Sequence, residues 1–332
     1  MKRLFLIPAL LLFLLPAGTK GQASEDFDWF PGGTYDSSIP TPSSFLGYTI
    51  GDAFTPHHRL EAYLGAVAEA SDRVSLGSYG KTNEGRDLLF VTITSPANHA
   101  RLEDIRQNMG RLADPRGASQ ADLDAVVQGS PAVAWLSYSV HGSESAGTEA
   151  AILTVYQLAA GTDAVTQNIL DELVVLIDPA SNPDGRARVV HSFQKRQGMT
   201  YSANPDSWEH GSDWPGGRSN HYLFDLNRDW SWQTQRETQQ RTVEYLRWNP
   251  VVHVDLHEMG GDSYFFFPAA TPVHGAIPDV VMKWQEIYGE GNARAFDQFG
   301  WPYYTKIGFD MYYPGFGDSW PSMMGAIGMT YE

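Results

Sequence analysis

Two histidines and a glutamate have the residue types and the positions that a catalytic metal site needs. His141 and Glu144 form a His-x-x-Glu motif that follows the apolar run Ala132–Tyr138, and His257 follows a second apolar run, Val251–Leu256. Two imidazoles and one carboxylate hold zinc in catalytic sites and leave its fourth position open for water. The sequence therefore predicts a catalytic metal site at these three side chains.

The His-x-x-Glu spacing is weak evidence without its context. The chain contains a second match, His58-x-x-Glu61, early in an amphipathic helix with no strand before it. We expect that pair to lie on the solvent-facing side of the helix. His141 and Glu144 differ because they follow a sequence typical of a buried strand. They lie in a predicted turn that contains Gly142 and precedes a helix.

The elements around these residues alternate between helix and strand. The spacing of apolar side chains predicts helices that begin at Thr55-Pro56 and lie near residues 102–112, 146–160, 233–246 and 280–296. Strands are predicted at residues 88–93, 132–138, 173–177, 251–256 and 326–332. This alternation indicates an α/β fold built on one layered sheet and one main domain. In open sheets of this kind the active cleft lies beyond the carboxyl ends of the strands, where His141, His257 and Glu332 are expected.

Composition excludes several classes of function. The 332 residues are 42% hydrophobic and 19% charged, which is typical of a folded chain. The formal net charge of −16 repels phosphate backbones, so a nucleic-acid partner is not expected. The chain has no cysteine, which excludes disulfides, thiolate zinc sites and cysteine nucleophiles.

The N-terminal residues predict export. Lys2 and Arg3 precede the apolar run of residues 4–15, and Gly21-Gln22-Ala23 fits a signal-peptidase cleavage site. We therefore expect a signal peptide over residues 1–23, a secreted or periplasmic location, and no stable membrane insertion after its removal. The apolar run is too short to span a bilayer.

The remaining chain is expected to form two parts. Residues 24–54 are aperiodic and rich in aromatic residues, glycine and proline, which predicts an extended N-terminal strap. Residues 55–332 are expected to form the catalytic domain. A central strand that ends at Glu332 would normally continue into a covering helix, so we expect the natural protein to extend further.

Five motifs follow one another along the chain: His141-x-x-Glu144, Asn182-Pro-Asp-Gly185, Asp225-Leu-Asn-Arg228, Asp255-Leu-His257 and a terminal strand ending in Glu332. Their order resembles that of the zinc carboxypeptidase family (M14 metallopeptidases). Over residues 55–332 the chain resembles a secreted, bacterial-type member of this family. The resemblance implies a mixed, twisted β-sheet flanked by helices, one zinc ion per chain, and hydrolysis at the C-terminus of peptides or proteins.

The same resemblance implies roles for individual residues. Glu332 matches the family's catalytic glutamate, which accepts a proton from water and delivers it to the departing amine. Asp225 resembles the carboxylate that orients His141 by accepting its other ring N–H. Asn227 and Arg228 resemble the pair that binds the terminal carboxylate of the substrate, where a guanidinium offers two parallel hydrogen bonds.

Two family positions are less well defined in this sequence. The oxyanion-stabilising arginine is expected about a dozen residues beyond the Asn182–Gly185 turn, and Arg196 is the candidate there. The family's mobile tyrosine corresponds to Tyr312 or Tyr313, and we favour Tyr313. The residues between Arg186 and Phe224 are expected to form one long loop that either walls the cleft or covers the core.

Other roles remain open for some of these residues. The Asn182–Gly185 motif is expected to be a structural turn, and His253 to be a core histidine rather than a ligand. A zinc amidase of the same fold, acting on peptidoglycan stem peptides or acyl-amino acids, would use identical metal chemistry. The turn at Ser143 resembles a nucleophile elbow, which would indicate a serine hydrolase, although its first glycine is missing. A non-catalytic binding module is the third alternative.

Overall fold

The computed structural model describes residues 29–202, 204, 206–260 and 263–332. The predicted signal peptide and the first residues of the predicted strap lie outside this range. The chain divides into two units, residues 1–33 and 34–332. In the described part of the first unit, the backbone N–H of Gly33 donates to the carbonyl of Phe30. The fold below is that of the second unit.

The described helices follow one another in this order: α1 Pro42–Leu46, α2 His57–Ala70, α3 Pro96–His99, α4 Leu102–Ala113, α5 Gln120–Gly129, α6 Ala146–Ala160, α7 Ala164–Glu172, α8 Pro183–Gln194, α9 Arg236–Trp248, α10 Asp279–Phe299 and α11 Ser319–Met323. The strands are β1 Val74–Lys81, β2 Asp87–Ile93, β3 Ala132–Tyr138, β4 Leu173–Asp178, β5 Val252–Leu256, β6 Tyr264–Phe265, β7 Ala270–Val273, β8 Tyr303–Tyr304, β9 Asp310–Met311 and β10 Ile327–Tyr331. The helices and strands predicted from hydrophobic spacing are confirmed within a few residues at each end.

Six strands form one mixed sheet in the order β1-β2-β4-β3-β5-β10. The pairs β1–β2 and β2–β4 are antiparallel, and β4–β3, β3–β5 and β5–β10 are parallel. This confirms the predicted mixed α/β sheet. Because β3, β5 and β10 are adjacent and parallel, their carboxyl ends open at the same edge. His141, His257 and Glu332 follow these three strands.

Helices pack on both faces of the sheet. Alternation along β2 sends Leu89, Val91 and Ile93 into a core shared with α2 and α6, and sends Phe90 to the opposite face. On that opposite face Trp135 of β3 packs with side chains of α4 and α9. Four apolar side chains at helical spacing on α2 are fully or almost fully buried, namely Leu60, Tyr63, Leu64 and Val67.

One segment differs from its predicted form, and part of the predicted strap packs into the core. The region between Arg186 and Phe224 is not one long loop, because α8 occupies its first part. Asn182 caps this helix by accepting the N–H of Gly185, and proline follows the cap at the first helical position. In residues 34–54, Ile39 and Leu46 are buried in the core with α2.

Among the described residues, no helix combines the length and the apolarity needed to cross a bilayer.

Candidate active site

The three predicted metal ligands converge beyond the ends of β3 and β5. Glu144 lies between the two histidines, with Oε1 at 2.6 Å from Nδ1 of His141 and Oε2 at 2.8 Å from Nδ1 of His257. One ligand atom from each residue lies within 4.8 Å of the other two. The side chains therefore present two imidazole nitrogens and a carboxylate oxygen toward one position, which suits a single metal ion.

The turn between β3 and α6 holds the first two ligands by close packing. Ser139 has φ of 53°, which is uncommon for a residue with a side chain, and its hydroxyl hydrogen-bonds to Thr148 at 2.9 Å. A side chain at Gly147 would meet the Ser139 hydroxyl, and one at Gly142 would collide with the backbone of Arg186 in α8. The start of α8 is therefore in contact with the metal-site turn.

Each histidine of the cluster also contacts a second carboxylate, through Nε2 of its ring. Asp225 Oδ1 lies 2.9 Å from Nε2 of His141, and Asp255 Oδ2 lies 2.8 Å from Nε2 of His257. A carboxylate at this position accepts a hydrogen bond from the Nε2–H group of the ring. The proton is then on Nε2, so Nδ1 has its lone pair available for a metal. Asp255 was not predicted as a functional residue, although it lies two residues before His257 and therefore on the same side of β5.

The electrostatics of the cluster favour protonated histidines and an ionised glutamate. Burial by itself lowers the pKa of His141, but hydrogen bonds to Asp225 and Glu144 outweigh it and raise that pKa. Burial also opposes protonation of His257, yet Asp255 and Glu144 raise its pKa well above the usual value. Burial raises the pKa of Glu144, but the two histidines lower it to about 2. The carboxylates around the two rings therefore favour positive charge at His141 and His257.

The affinity for zinc is expected to weaken as the pH falls. A metal ion at this position must displace the protons held on His141 and His257, whose raised pKa values keep them protonated to higher pH. Each displaced proton costs up to about tenfold in apparent affinity per pH unit. Competition with a chromophoric chelator between about pH 8 and pH 6 measures this slope. An affinity that does not change over this range would contradict the assignment of the two histidines as ligands.

A cavity of about 410 Å³ opens in front of the cluster. Besides the three ligands, its lining includes Arg218, Asn227, Arg228, Asp310, Phe316, Asp318 and Glu332. The backbone of Glu332 is fixed by two hydrogen bonds with Phe265, at 2.8 and 2.9 Å. Burial, together with the nearby charges of Glu144 and Asp255, raises the pKa of Glu332 to about 7. This carboxyl group can therefore accept and release a proton near neutral pH.

The sequence matches the zinc carboxypeptidase family, Peptidase_M14, over residues 60–247, which is more than half of the chain. The chain belongs to this family. The resemblance inferred from the motifs is thereby confirmed, and the members of the family are zinc metallopeptidases. A comparison with curated protein sequences finds no match.

Solved structures of carboxypeptidases share the fold. A metallo-carboxypeptidase from Burkholderia cenocepacia is 18% identical, with a TM-score of 0.56 over 83% of this chain and 59% of that one. Carboxypeptidase A from Helicoverpa armigera is 16% identical, with a TM-score of 0.57 over 86% of this chain and 64% of that one. The chain thus spans about three fifths of the length of these structures.

Asn227 and Arg228, which the resemblance predicts to bind substrate, both line the cavity. Asn227 is buried, its Oδ1 accepts the N–H of Gly317 at 2.7 Å, and its Nδ2 lies 3.0 Å from Nε2 of His257. Arg228 is half exposed, and its guanidinium lies over the ring of Phe316 at 4.6 Å. The guanidinium therefore remains accessible to a ligand in the cavity.

Arg196, the predicted oxyanion arginine, is not among the described residues that line the cavity. The twelve residues of α8 carry the chain about 18 Å away from the metal-site turn, and Arg196 follows the far end of that helix. There its guanidinium pairs with Asp213 and lies over the ring of Trp208. A different arginine, Arg218, lines the cavity instead.

Arg218 was missed because nothing in its local sequence marks it. Its guanidinium lies 3.0 Å from Asp225 and 3.6 Å from Glu144, and half of the side chain is exposed. The side chain of Asn182 donates to the carbonyl of Arg218 at 3.1 Å. Arg188 of α8 donates to the carbonyls of residues 216, 219 and 220. The start of α8 therefore holds the segment around Arg218 in place.

Tyr313 is not among the described residues that line the cavity, and neither is Tyr312. The Tyr313 hydroxyl donates to the carbonyl of Arg228 at 2.9 Å and accepts from Trp232 at 2.6 Å. Its placement supports the backbone next to the cavity, and direct contact with a substrate would require it to move. His253 is fully buried beside Trp230, as expected for a core histidine.

Two motifs have the placement expected of structural elements. Asp184 of the Asn182–Gly185 motif is fully buried and accepts hydrogen bonds from Thr82, Arg86 and the N–H of Glu84. It therefore ties α8 to the β1–β2 turn. His58 and Glu61 are both exposed on α2, away from the metal cluster.

Proposed function

We propose that this chain is a zinc metallocarboxypeptidase that removes the C-terminal residue of peptides and proteins. One observation carries the proposal: a single cavity presents three metal-ligand side chains, a carboxylate with a pKa of about 7, and two arginines. The family membership supports the same chemistry.

The residues present fit a zinc ion. His141, Glu144 and His257 offer two nitrogens and one oxygen, and the carboxylates of Asp225 and Asp255 fix the rings so that Nδ1 faces the shared position. Zinc bound there would supply a water with a pKa of about 7 and would polarise the carbonyl of the scissile bond.

Glu332 and Arg218 act on the reacting atoms in this proposal. Glu332 accepts a proton from the attacking water and then donates it to the nitrogen of the departing amino acid, which leaves as a neutral amine. Its pKa near 7 suits both transfers. Arg218 takes the role first assigned to Arg196, because its guanidinium can stabilise the negative charge that develops on the carbonyl oxygen.

Asn227 and Arg228 bind the terminal carboxylate of the substrate. A planar guanidinium can donate two parallel hydrogen bonds to a carboxylate, which fixes both its position and its direction. Recognition of a free carboxylate places the scissile bond one residue from the end of the chain. This makes the proposed enzyme an exopeptidase rather than an endopeptidase.

The proposed site of action is outside the cytoplasm. The charged N-terminus, the short apolar run and the small-residue motif at Gly21–Ala23 support export. The substrates are then extracellular or periplasmic peptides, and the strongly acidic chain is not expected to bind nucleic acid.

A pair of peptides that differ only at the C-terminus tests the proposal. We expect the peptide with a free carboxylate to be cleaved with a kcat/KM at least about a hundredfold above that of the amidated peptide, because the amide leaves Arg228 unpaired. Mass spectrometry of the products measures both rates. Activity is expected to vanish after complete metal removal and to return with zinc.

Equal cleavage of both peptides would refute carboxypeptidase action. Release of acyl groups or stem-peptide fragments without cleavage of ordinary peptides would instead identify the zinc amidase. Activity that survives metal removal but is lost on acylation of Ser143 would identify the serine hydrolase.

A further inference from the structure

Arg241 of α9 is a fully buried arginine whose guanidinium has no hydrogen-bond partner among the described residues. The group lies over the ring of Trp230, 3.9 Å from its centroid. A guanidinium carries five N–H donors, and buried donors in folded proteins are almost always satisfied. Arg241 therefore needs acceptors beyond its direct contacts with described side chains.

Two buried aspartates lie on the face of the sheet that is covered by α9. Asp178 of β4 and Asp255 of β5 are both in register with Ser137 of β3, which lies between them. Residues in register share a face, and adjacent strands are about 4.8 Å apart, so the two backbones lie about 10 Å apart. Trp135 shares this face, being two residues before Ser137, and it packs against α9. Both carboxylates therefore belong to the core region that contains Arg241.

Each of these carboxylates uses one oxygen and leaves the other unpaired. Oδ2 of Asp255 lies 2.8 Å from Nε2 of His257. Oδ2 of Asp178 accepts from the hydroxyls of Tyr79 and Ser181, at 2.9 and 2.6 Å. Oδ1 of both aspartates is buried and has no hydrogen-bond partner within the described part of the chain. Two unpaired acceptors thus share one region of the core with three unpaired nitrogens.

Arg241 is near both carboxylates without contacting either directly. Its stacking partner Trp230 adjoins Asp255, because a side chain at Gly317 would meet both Nε1 of Trp230 and Oδ2 of Asp255. Burial raises the pKa of Asp178 to about 6, and the charge of Arg241 is the strongest influence in the opposite direction. Arg241 opposes the effect of burial on the pKa of Asp255 as well. Polar groups at such separations are commonly bridged by water.

Water is the ligand whose chemistry fits this region. It can accept from an N–H group and donate to a carboxylate, whereas the two aspartates would repel an anion and Arg241 would repel a metal ion. Further unpaired polar atoms lie nearby, namely Nε1 of Trp230, the hydroxyl of Tyr245 and both ring nitrogens of His253. The centroids of these three rings are 5.3 to 6.1 Å apart. A buried water typically makes about three hydrogen bonds, which this set of atoms can supply.

We propose that Arg241 is a positioning residue for the metal site, acting through ordered water that it holds between Asp178 and Asp255. The inference rests on the proposed function, in which His257 binds zinc. Water bound to Oδ1 of Asp255 fixes the carboxylate and so keeps Oδ2 against Nε2 of His257. The partner of that ring nitrogen sets the orientation of a metal-binding histidine. Arg241 itself touches neither the metal nor the substrate.

A high-resolution crystal structure of the zinc-loaded full chain tests the water directly. We expect ordered water within hydrogen-bond distance of the Arg241 guanidinium and of Oδ1 of both Asp178 and Asp255. This measurement depends neither on a variant nor on turnover. Clear density that shows no water among these groups would overturn the proposal.

NMR of the histidine N–H groups in the zinc-loaded chain tests the positioning role. Nε2–H of His257 donates to Asp255, and Nε2–H of His141 donates to Asp225, so His141 is an internal control. Arg241→Met removes the charge and the donors. It should abolish the slowly exchanging His257 signal, preserve that of His141, and raise the zinc dissociation constant about tenfold, the lower end of the usual effect of losing a partner behind a ligand.

Two further variants separate positioning from general destabilisation. Arg241→Lys should restore both the His257 signal and the zinc affinity, because lysine keeps a positive charge and three donors and no direct bidentate contact is lost. Arg247→Met alters a half-exposed arginine of the same helix, paired with Glu244 at 2.9 Å, and should match the wild type. Thermal melting of each variant measures its stability.

The remaining outcomes separate this inference from the proposed function. Equal losses of the His141 and His257 signals in Arg241→Met would show a general structural effect, and tighter zinc binding would show that Arg241 acts only by repelling the metal. Either result overturns the positioning role. A wild-type chain that holds zinc and the water but releases no C-terminal residue would overturn the carboxypeptidase function alone. A chain that does not bind zinc would overturn both.

Discussion

Replacing Glu332 by glutamine is expected to abolish turnover while zinc stays bound. The amide has nearly the same shape as the carboxylic acid but cannot accept the proton of the attacking water. Loss of general base catalysis costs about 10²- to 10⁴-fold in rate. Steady-state kinetics on a peptide with a free C-terminus measures kcat, and elemental analysis of the same sample measures zinc.

A matched carboxylate provides the control for this substitution. Glu258 lines the same cavity, and its carboxylate accepts the backbone N–H of Ala146 at 2.7 Å. The amide oxygen of Glu258→Gln preserves that hydrogen bond, so activity should remain within about tenfold of the wild type. Turnover retained in Glu332→Gln would remove Glu332 from the mechanism.

Replacing His141 by alanine is expected to release the metal. The variant loses one of three ligands and leaves the Asp225 carboxylate without its imidazole partner. Removing only a hydrogen-bond partner of a ligand typically weakens metal affinity by 10- to 100-fold, so losing the ligand should cost more than about a hundredfold. Chelator competition measures the affinity, and peptide hydrolysis should fall in parallel.

The second His-x-x-Glu motif is the natural control for this variant. His58 and Glu61 have the same spacing but are exposed on α2, with no third ligand beside them among the described residues. His58→Ala should bind zinc as tightly as the wild type. Equal losses in the two variants would mean that the His141 effect reflects general destabilisation and not coordination.

The convergence of His141 and His257 could be predicted because strong local signals and topology agree. His141 and His257 each follow a run of apolar residues, and buried strands of this type are parallel neighbours in an α/β sheet. The order of the motifs added Asp225 and Glu332. The structure brings His141 and His257 together around Glu144, with Asp225 at Nε2 of His141 and Glu332 in the cavity lining.

Residues on connecting segments could not be predicted from the same signals. The spacing of about a dozen residues beyond the Asn182–Gly185 motif predicts Arg196 as the oxyanion arginine. That prediction takes no account of a helix between the motif and Arg196. The cap at Asn182 and the proline after it indicate a helix, and α8 removes Arg196 from the site. Arg218 is held at the cavity by hydrogen bonds from Asn182 and Arg188, which are about thirty residues away in sequence. No local sequence pattern predicts these contacts.

Asp255 was not predicted as a functional residue for a different reason. Its position two residues before His257 puts it on the same side of β5, but alternation alone does not say whether it faces solvent, a neighbouring chain segment or the ligand. Full burial and the 2.8 Å approach to His257 decide the matter.

Hydrogen bonds from Asn182 and Arg188 hold residues 216–220, which include the cavity-lining Arg218. The position of Arg218 therefore depends on α8 and not on the residues that connect α8 to this segment. We expect changes in the length or composition of the stretch between α8 and residue 216 to leave the guanidinium of Arg218 in place, since both ends of the stretch are held by the same helix. This stretch includes the exposed Trp208 and Trp214. We therefore expect this stretch to tolerate insertion and variation.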